Sequence, residues 1–323
     1  MKELMIGVDI GGTTVKLGFI NVDGEIIDKW EIPTNTKNQG VSIVQDIWDS
    51  IDQKRIHLNI NQDNVIGIGI GAPGFIDAKK GIVHEAVNIG WKDFHLAEEL
   101  NKKSGLPVFL ENDANIAVLG ENWKGAGNLA RNVIAVTLGT GVGGGIIANG
   151  RILNGENGTA GEIGHIIVEP NGYLCNCGRR GCMETVTSAT GIVRQGMDAI
   201  EKEPKSLLND RYNENGFITS KDIFQLAKQG DKICIKIVNR TTDIIGFTIA
   251  NMATIINPSK VLVGGGVSKA GSQLISGINE AFVKYALPRI SDVCEIKIAQ
   301  LGNDAGIIGA AYLVNQKLKN ITF

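Results

Sequence analysis

The chain has 323 residues, of which 42 are glycine, or 13%, against a usual share of about 7%. Only 7 prolines and a hydrophobic share of 43% exclude a disordered or low-complexity chain. With 32 basic and 34 acidic residues the formal net charge is −2, which supplies no whole-chain field to attract nucleic acid or an anionic membrane. At about 150 residues per domain the length predicts about two domains. The opening residues carry acids where a signal peptide needs an apolar core, and no run approaches about 18 apolar residues. The expectation is a soluble, cytoplasmic protein.

In chain order, Ile6, Val8 and Ile10 alternate before Gly11-Gly12, and Val15, Leu17 and Phe19 alternate after it. That is the two-residue period of strands joined at a glycine turn. Asp23-Gly24 makes a second turn, giving a three-strand meander. Residues 40–58 read as a helix, 65–72 as a buried strand, 107–110 as a strand ending at Glu111-Asn112-Asp113, and 114–123 as a helix. Gly71 to Asp77 and Asn88 to Trp91 read as loops. Residues 133–138 then repeat the opening plan, with a glycine-laden turn from Gly139 to Gly145 and an Asn149-Gly150 turn. The repetition predicts two similar α/β domains, though two similar hairpins also arise by chance. The polar stretch from Glu201 to Gly216 has no clear period and reads as a surface connection. Residues 231–256 read as a long amphipathic helix, 260–263 as a strand entering Gly264-Gly265-Gly266, and 294–299 as the last strand. A final helix starts near Asp304 and presents Ile307, Ala310, Ala311 and Val314 on one face.

The run Gly139-Thr140-Gly141-Val142-Gly143-Gly144 satisfies G-x-G-x-x-G, but a strand and a hairpin turn follow where a dinucleotide fold needs a helix. No G-x-x-x-x-G-K-[ST] loop is present either. What remains is a pair of glycine hairpins, Asp9 to Thr14 and Leu138 to Gly145, whose bare backbone N–H groups can approach phosphate oxygens. Each alone also reads as a tight turn. Asp9 cannot touch a phosphate directly but can hold water on a bridging Mg²⁺. Gly264, Gly265 and Gly266 can accommodate a base or ribose, or can simply turn a strand into a helix. Asp113 reads as an N-cap on position alone. Glu162 and His165, three apart, suit sugar hydroxyls if they converge, and otherwise read as a solvated acid and a satisfied core histidine. Five cysteines are an odd number; Cys234 and Cys294 look like core thiols, while Cys175, Cys177 and Cys182 with His165 upstream offer a closed tetrahedral zinc set or buried thiols.

Taken together, Asp9-x-Gly-Gly-Thr, Gly71-Ala72-Pro73-Gly74, Glu111-Asn112-Asp113, the Leu138 glycine run, Glu162-Ile163-Gly164-His165 and Cys175-x-Cys-Gly-x-x-Gly-Cys182-x-Glu184 resemble the ROK family of sugar kinases and sugar-responsive repressors. The resemblance covers about residues 5–318 and lies nearest the family's bacterial glucokinases. It implies an α/β, two-lobed, actin/hexokinase-like (ribonuclease H-like) ATPase fold with a central cleft. One lobe would comprise 1–115 plus 303–323, the last helix returning to it, and the other 116–302 with a zinc-bound loop. It implies ATP-dependent phosphorylation of glucose at the 6-hydroxyl, with Asp113 as general base. The sugar contacts would be Gly71, Asn88, Asn112, Asp113, Glu162, His165 and Glu184. Nucleotide contacts would come from Asp9, Gly11, Gly12, Thr13, Thr14, Gly139, Thr140, Gly141, Gly264, Gly265 and Gly266, with Mg²⁺ as partner. Structural Zn²⁺ would sit on His165, Cys175, Cys177 and Cys182, and the protein would form a homodimer. The same chemistry on fructose, mannose or an N-acetylhexosamine is the enzyme alternative. A sugar-sensing repressor is the non-enzyme alternative, for which the eight residues before Asp9 are too few to hold a helix-turn-helix. On this reading the surplus glycines clear backbone wherever ATP, sugar or zinc comes close, the rest lying in turns.

Overall fold

The computed structural model describes residues 3–203 and 205–319. Met1 and Lys2 of the opening segment, residue 204 of the polar stretch and the chain after 319 lie outside the described residues. The chain opens as the expected meander, β1 (Leu4–Ile10), β2 (Thr14–Asn21) and β3 (Ile26–Pro33). A short turn, α1 (Lys37–Gly40), leads into helix α2 (Ile43–His57) and strand β4 (Val65–Ala72). Three short strands follow, β5 (Phe75–Asp77), β6 (Ile82–Ala86) and β7 (Trp91–Phe94), then α3 (Leu96–Ser104), β8 (Val108–Asn112) and α4 (Asp113–Lys124).

The second half repeats the order. Strands β9 (Val133–Leu138), β10 (Val142–Ala148) and β11 (Arg151–Ile152) precede α5 (Glu184–Thr187), α6 (Ala189–Lys202), α7 (Leu207–Asn215), α8 (Ser220–Lys228) and the long α9 (Lys232–Ile256). Strand β12 (Lys260–Gly264), α10 (Ser272–Tyr285), α11 (Pro288–Ser291), β13 (Glu295–Ile298) and α12 (Ala305–Lys319) complete it. One five-stranded sheet has the order β3-β2-β1-β4-β8 and the other β11-β10-β9-β12-β13. In each, the first strand of the segment pairs parallel with a later strand that itself pairs parallel with the last: β1 with β4 and β4 with β8, then β9 with β12 and β12 with β13. The repetition read from the glycine turns is therefore a repetition of topology.

By contact the chain forms two compact units. One runs from the first described residue to Arg131, takes in Gly145–Ala160 and resumes at Gln300; the other holds Asn132–Gly144 and Gly161–Ala299. Residues 116–131 and 145–160 thus cluster with the first unit, because α4 packs along α12. In the first unit Val8, Ile10, Leu17, Phe19, Ile68 and Ile70 from the sheet meet Ile47 and Ile51 of α2 and Leu100 of α3 in one core. The other face of the sheet is covered by α12, through Ala311 and Val314 against Met5 and Ile20. This helix lies unusually close. A Cβ on Gly69 of β4 would sit 1.8 Å from the Ala310 carbonyl oxygen, one on Gly7 of β1 2.0 Å from that of Ile307, and one on Gly309 1.7 Å from that of Ile116. Part of the glycine surplus therefore serves helix packing, which the expectation of glycines at ligand loops and turns did not include.

Two readings need correction. The stretch from Glu201 to Gly216 is no plain connection: its first residues end α6, and Leu207–Asn215 is α7, capped by the Ser206 side chain and ended by Gly216 at φ 74°. Only Leu208 of α7 is buried, so the helix has no apolar period to read and only its start and stop signals mark it. The two loops around Pro73 and Asn88 flank a small antiparallel sheet, order β5-β6-β7, whose strands of three to five residues are too short for a legible alternation. Since the Gly69 contact is backbone against backbone, Gly69→Ala is expected to cost about 1–3 kcal/mol. Urea unfolding of the variant should show a lower midpoint, and an unchanged midpoint would refute the packing argument.

Candidate functional site

In the first unit, β1 carries Asp9 next to its last residue, Ile10, and the chain turns tightly through Gly11, whose N–H donates to the Thr14 carbonyl at 3.0 Å. Thr34, just beyond β3, pins this turn: its hydroxyl donates to the Gly11 carbonyl at 2.7 Å and its N–H to that of Thr13 at 2.9 Å. Gly12 and Thr13 are exposed at the tip, and Asn88, in the turn between β6 and β7, is the nearest neighbour a Gly12 side chain would meet. A glycine hairpin braced in this way holds its N–H groups in fixed directions, as an anion site requires.

Asp9 pairs in register with Gly71 on one side and Lys16 on the other. Its carboxylate lies against the first turn of α12, where a Cβ on Gly306 would meet Oδ2 at 2.4 Å. Burial pushes the Asp9 carboxyl up from 3.8 to about 6; Lys16 opposes the rise, and the neighbouring charge of Asp113 adds to it. Two expected site carboxylates are thus close enough to feel each other. Lys16 was not among the expected residues, although the two-residue period about the Gly11-Gly12 turn already sets it opposite Asp9.

Asp113 is the first residue of α4, and the capping role that its position offered is taken by Asn112. The Asn112 side chain accepts from the N–H groups of Ala114 at 2.9 Å and Asn115 at 3.3 Å, and its amide donates to the Gly74 carbonyl at 3.2 Å. Asp113 Oδ1 accepts from the N–H of Ala114 at 2.8 Å. Glycine at 71 has a packing reason, since a Cβ there would come within 1.9 Å of Ile116 Cδ1 on α4.

In the second unit the β9–β10 turn carries Gly139, Thr140 and Gly141. The start of α6 pins it: Ala189 N–H donates to the Gly139 carbonyl at 2.8 Å and the Thr190 hydroxyl to that of Thr140 at 2.8 Å. Glu184, at the start of α5, accepts from the Val142 N–H at 3.0 Å through Oε2, and a Cβ on Gly141 would stand 2.3 Å from that oxygen. Glu184 Oε1 also accepts from Cys175 Sγ at 3.5 Å. His165 lies in a 3₁₀ turn, Ile163–His165, directly after the exposed Glu162.

His165, Cys175, Cys177 and Cys182 present ligand atoms that all lie within 4.8 Å of one another. An isolated bridge pairing Leu174 with Arg180 folds the cysteine loop back, and the Cys175 N–H donates to the Arg179 carbonyl at 2.8 Å. The Arg179 backbone N–H and then its side chain hold the Cys177 thiol down at about 6, whereas burial raises Cys175 and pushes Cys182 up to about 12. Two buried thiols of high proton affinity beside an imidazole make a donor set that a bound metal ion would deprotonate. Cys234 and Cys294 are buried as expected.

Beyond β12, Gly265 takes φ 83°, and a Cβ on it would strike the Leu138 carbonyl at 2.4 Å. Gly266 faces open space and lines a pocket of about 460 Å³ with Val267, Lys269 and five residues of α8, among them Phe224, Gln225 and Lys228. The α8 side of this pocket escaped sequence reading, because residues 220–228 are not among the elements read there.

The sequence profile of the ROK family matches residues 5–317. A curated glucokinase of Halalkalibacterium halodurans is 51% identical over 97% of this chain and 95% of its own length. The crystal structure of a ROK hexokinase from Thermus thermophilus superposes with a TM-score of 0.83 at 28% identity, covering 98% of this chain and all of that one. A ROK family glucokinase from Streptomyces griseus, crystallised with glucose and AMPPNP, gives 0.75 at 34% identity over 97% and 99%. The fold expected from the motifs, actin/hexokinase-like α/β, is the fold of these neighbours.

Because Asp9 binds its proton more tightly folded than unfolded, its contribution to stability is full below pH 3.8 and is lost as pH rises through about 6. Asp9→Asn removes that loss, so the variant should melt above the unsubstituted protein at pH 8 and close to it at pH 4. Thermal unfolding at the two pH values checks this, and an equal difference at both would refute the buried-carboxylate assignment.

Proposed function

We infer that this chain, which belongs to the ROK family, transfers the terminal phosphoryl group of ATP to the 6-hydroxyl of D-glucose, giving glucose 6-phosphate and ADP. The observation that carries the reading is the extent of the glucokinase match, nearly the whole chain at 51% identity. The carboxylate pair Asp9 and Asp113 supports the chemistry, because phosphoryl transfer to an alcohol needs one acid at the metal and one at the hydroxyl.

Asp113 accepts the proton of the 6-hydroxyl as that oxygen attacks the γ-phosphorus in line and the bond to the leaving ADP oxygen breaks. Asn112 and Asn88 take sugar hydroxyls, with Gly71 keeping the wall beside them free of a side chain. Glu162, His165 and Glu184 take the remaining hydroxyls, a carboxylate accepting from adjacent pairs. Gly12 and Thr13 at the tip of the first hairpin, and Thr140 and Gly141 in the second turn, donate N–H groups to phosphate oxygens, while the N–H groups of Gly11 and Gly139 close their own turns. The turn at Gly264, Gly265 and Gly266, with the pocket against α8, takes the base and ribose. Asp9 would hold the water of a Mg²⁺ brought with ATP, an ion that would spread the charge of the triphosphate.

The donor set at the cysteine loop fits Zn²⁺. Bond lengths of about 2.3 Å to sulfur and about 2.0 Å to nitrogen make tetrahedron edges of about 3.5–3.8 Å. The Cys177–Cys182 sulfurs stand 3.6 Å apart and His165 Nδ1 stands 3.7 Å from Cys175 Sγ. The ion would act as a structural clamp, fixing the His165 ring so that its other nitrogen serves the sugar. The protein works as a cytoplasmic homodimer on free hexose, with no nucleic-acid or membrane partner; among the described residues no helix is long and apolar enough to cross a membrane. A dimer mass by light scattering would support this assembly.

A coupled assay across hexoses should give glucose the highest kcat/KM, and a clear preference for fructose, mannose or an N-acetylhexosamine would reassign the substrate. Asp113→Asn should lower kcat by about 10²–10⁴ while glucose still binds in a calorimeter. Chelation should remove one zinc per chain, lower Tm and weaken glucose binding together; fully active protein without zinc would eliminate the clamp.

A further inference from the structure

The first unit contains a pocket of about 430 Å³ that the kinase chemistry does not use. It opens among the end of α12, the β11 turn and the loop after β5. Lys79, Arg151 and Lys317 line it, and among the described residues none of the three has a carboxylate partner. The contrast with their surroundings is sharp: Lys80, next in sequence, pairs with Asp77 at 3.2 Å, and Lys319 pairs with Glu3 at 2.8 Å. Three cations left unpaired around one concavity give it a positive field that surface ion pairing elsewhere cancels.

The pocket floor is Glu111, only 4% exposed. Its carboxylate is fully engaged. Oε1 accepts from the Asn112 N–H at 2.9 Å and the Asn115 amide at 3.0 Å, and Oε2 accepts from the Asn154 amide at 3.0 Å. Those donors offset its charge, so the cations dominate the opening. Asn154 and Gln316 add amide groups to the lining, able to hydrogen-bond hydroxyls from either side. No aromatic ring lines the pocket, which disfavours a nucleobase and suits a compact polar ligand.

We propose that this pocket binds a small phosphorylated polyol of the hexose-phosphate class, its phosphate on Lys79, Arg151 and Lys317 and its hydroxyls on Asn154 and Gln316. The volume lies in the range of small-metabolite sites. Occupancy reaches the reacting strand through one residue: Asn154 holds Glu111, and Glu111 holds the N–H of Asn112, the residue before Asp113 and the cap of α4. A ligand that draws on Asn154 thereby shifts the end of β8, making the pocket a regulatory site. That regulatory part rests on the kinase reading; the binding itself does not.

The test is calorimetric titration of glucose 6-phosphate into the full chain already saturated with glucose and a non-hydrolysable ATP analogue. One site per chain is expected. The double variant Arg151→Ala/Lys317→Ala should bind at least tenfold more weakly, with Tm and the basal kcat and KM for glucose unchanged. Asp113→Asn should bind as the unsubstituted protein does, so that failure of the kinase reading and failure of this site are told apart. No binding, or binding indifferent to the double variant, overturns the site. Inorganic phosphate binding as tightly as the sugar phosphate overturns recognition of the polyol and leaves a bare anion site. Added glucose 6-phosphate should change kcat/KM of the unsubstituted protein and not of the double variant, and an equal response from both overturns the regulatory coupling.

Discussion

The close approach of α12 to the backbone of its neighbours is the constraint on which the first unit depends. Where a strand or helix carries glycine at the crossing point, a carbonyl oxygen of the other element occupies the space that a Cβ would fill, as at Gly7, Gly69 and Gly309. Such contact places rigid backbone against rigid backbone, with no side chain able to give way. The consequence reaches the chemistry. Asp9 lies near the end of β1 beneath the first turn of α12, and Asp113 begins α4, which packs along the same helix, so one helix sets both carboxylates. The raised proton affinity of Asp9 follows from this burial, and it is an expense of stability that the fold carries at neutral pH.

The second unit reaches order by another route. In its turn at Gly139 to Gly141 and its loops from Gly161 to Glu184, polar side chains add to the backbone hydrogen bonds: Glu184 reaches Val142 and Cys175 together, and Thr190 reaches Thr140. The His165 and cysteine cluster belongs to the same network, so a metal bound there would stiffen the proposed phosphate turn as well as the proposed sugar ligands. Here the glycines matter in a different sense, since Gly141 leaves room for the Glu184 carboxylate.

Strands of five or more residues with regular alternation were legible, as were the helices 43–57, 232–256 and 305–319, whereas α3, α6, α8 and α10, which also bury an apolar face, went unread. The site motifs were legible for a related reason, because glycine, cysteine and the Glu111-Asn112-Asp113 run are unusual enough to read in isolation. The small sheet of β5, β6 and β7 and the helix α7 were not, being too short or too exposed to leave a period. Asn112 illustrates a finer limit. Sequence position offered Asp113 as the cap, yet one residue of difference in where the helix begins hands the cap to Asn112.

The sequence by itself determined the family, the repeated strand, glycine turn and strand, and the identities of the residues that carry polar chemistry, because alternation, turn glycines and spaced cysteines are local properties. Only the tertiary structure decided which glycines serve packing and which serve loops. It also decided that Asp113 bears on Asp9, that α8 walls the pocket beside Gly266, and that three cations with no carboxylate partner among the described residues gather around Glu111. Each of these joins segments distant in the chain or depends on how much solvent remains around a charge. Burial and proximity are sums over the whole fold, and no window of sequence contains them.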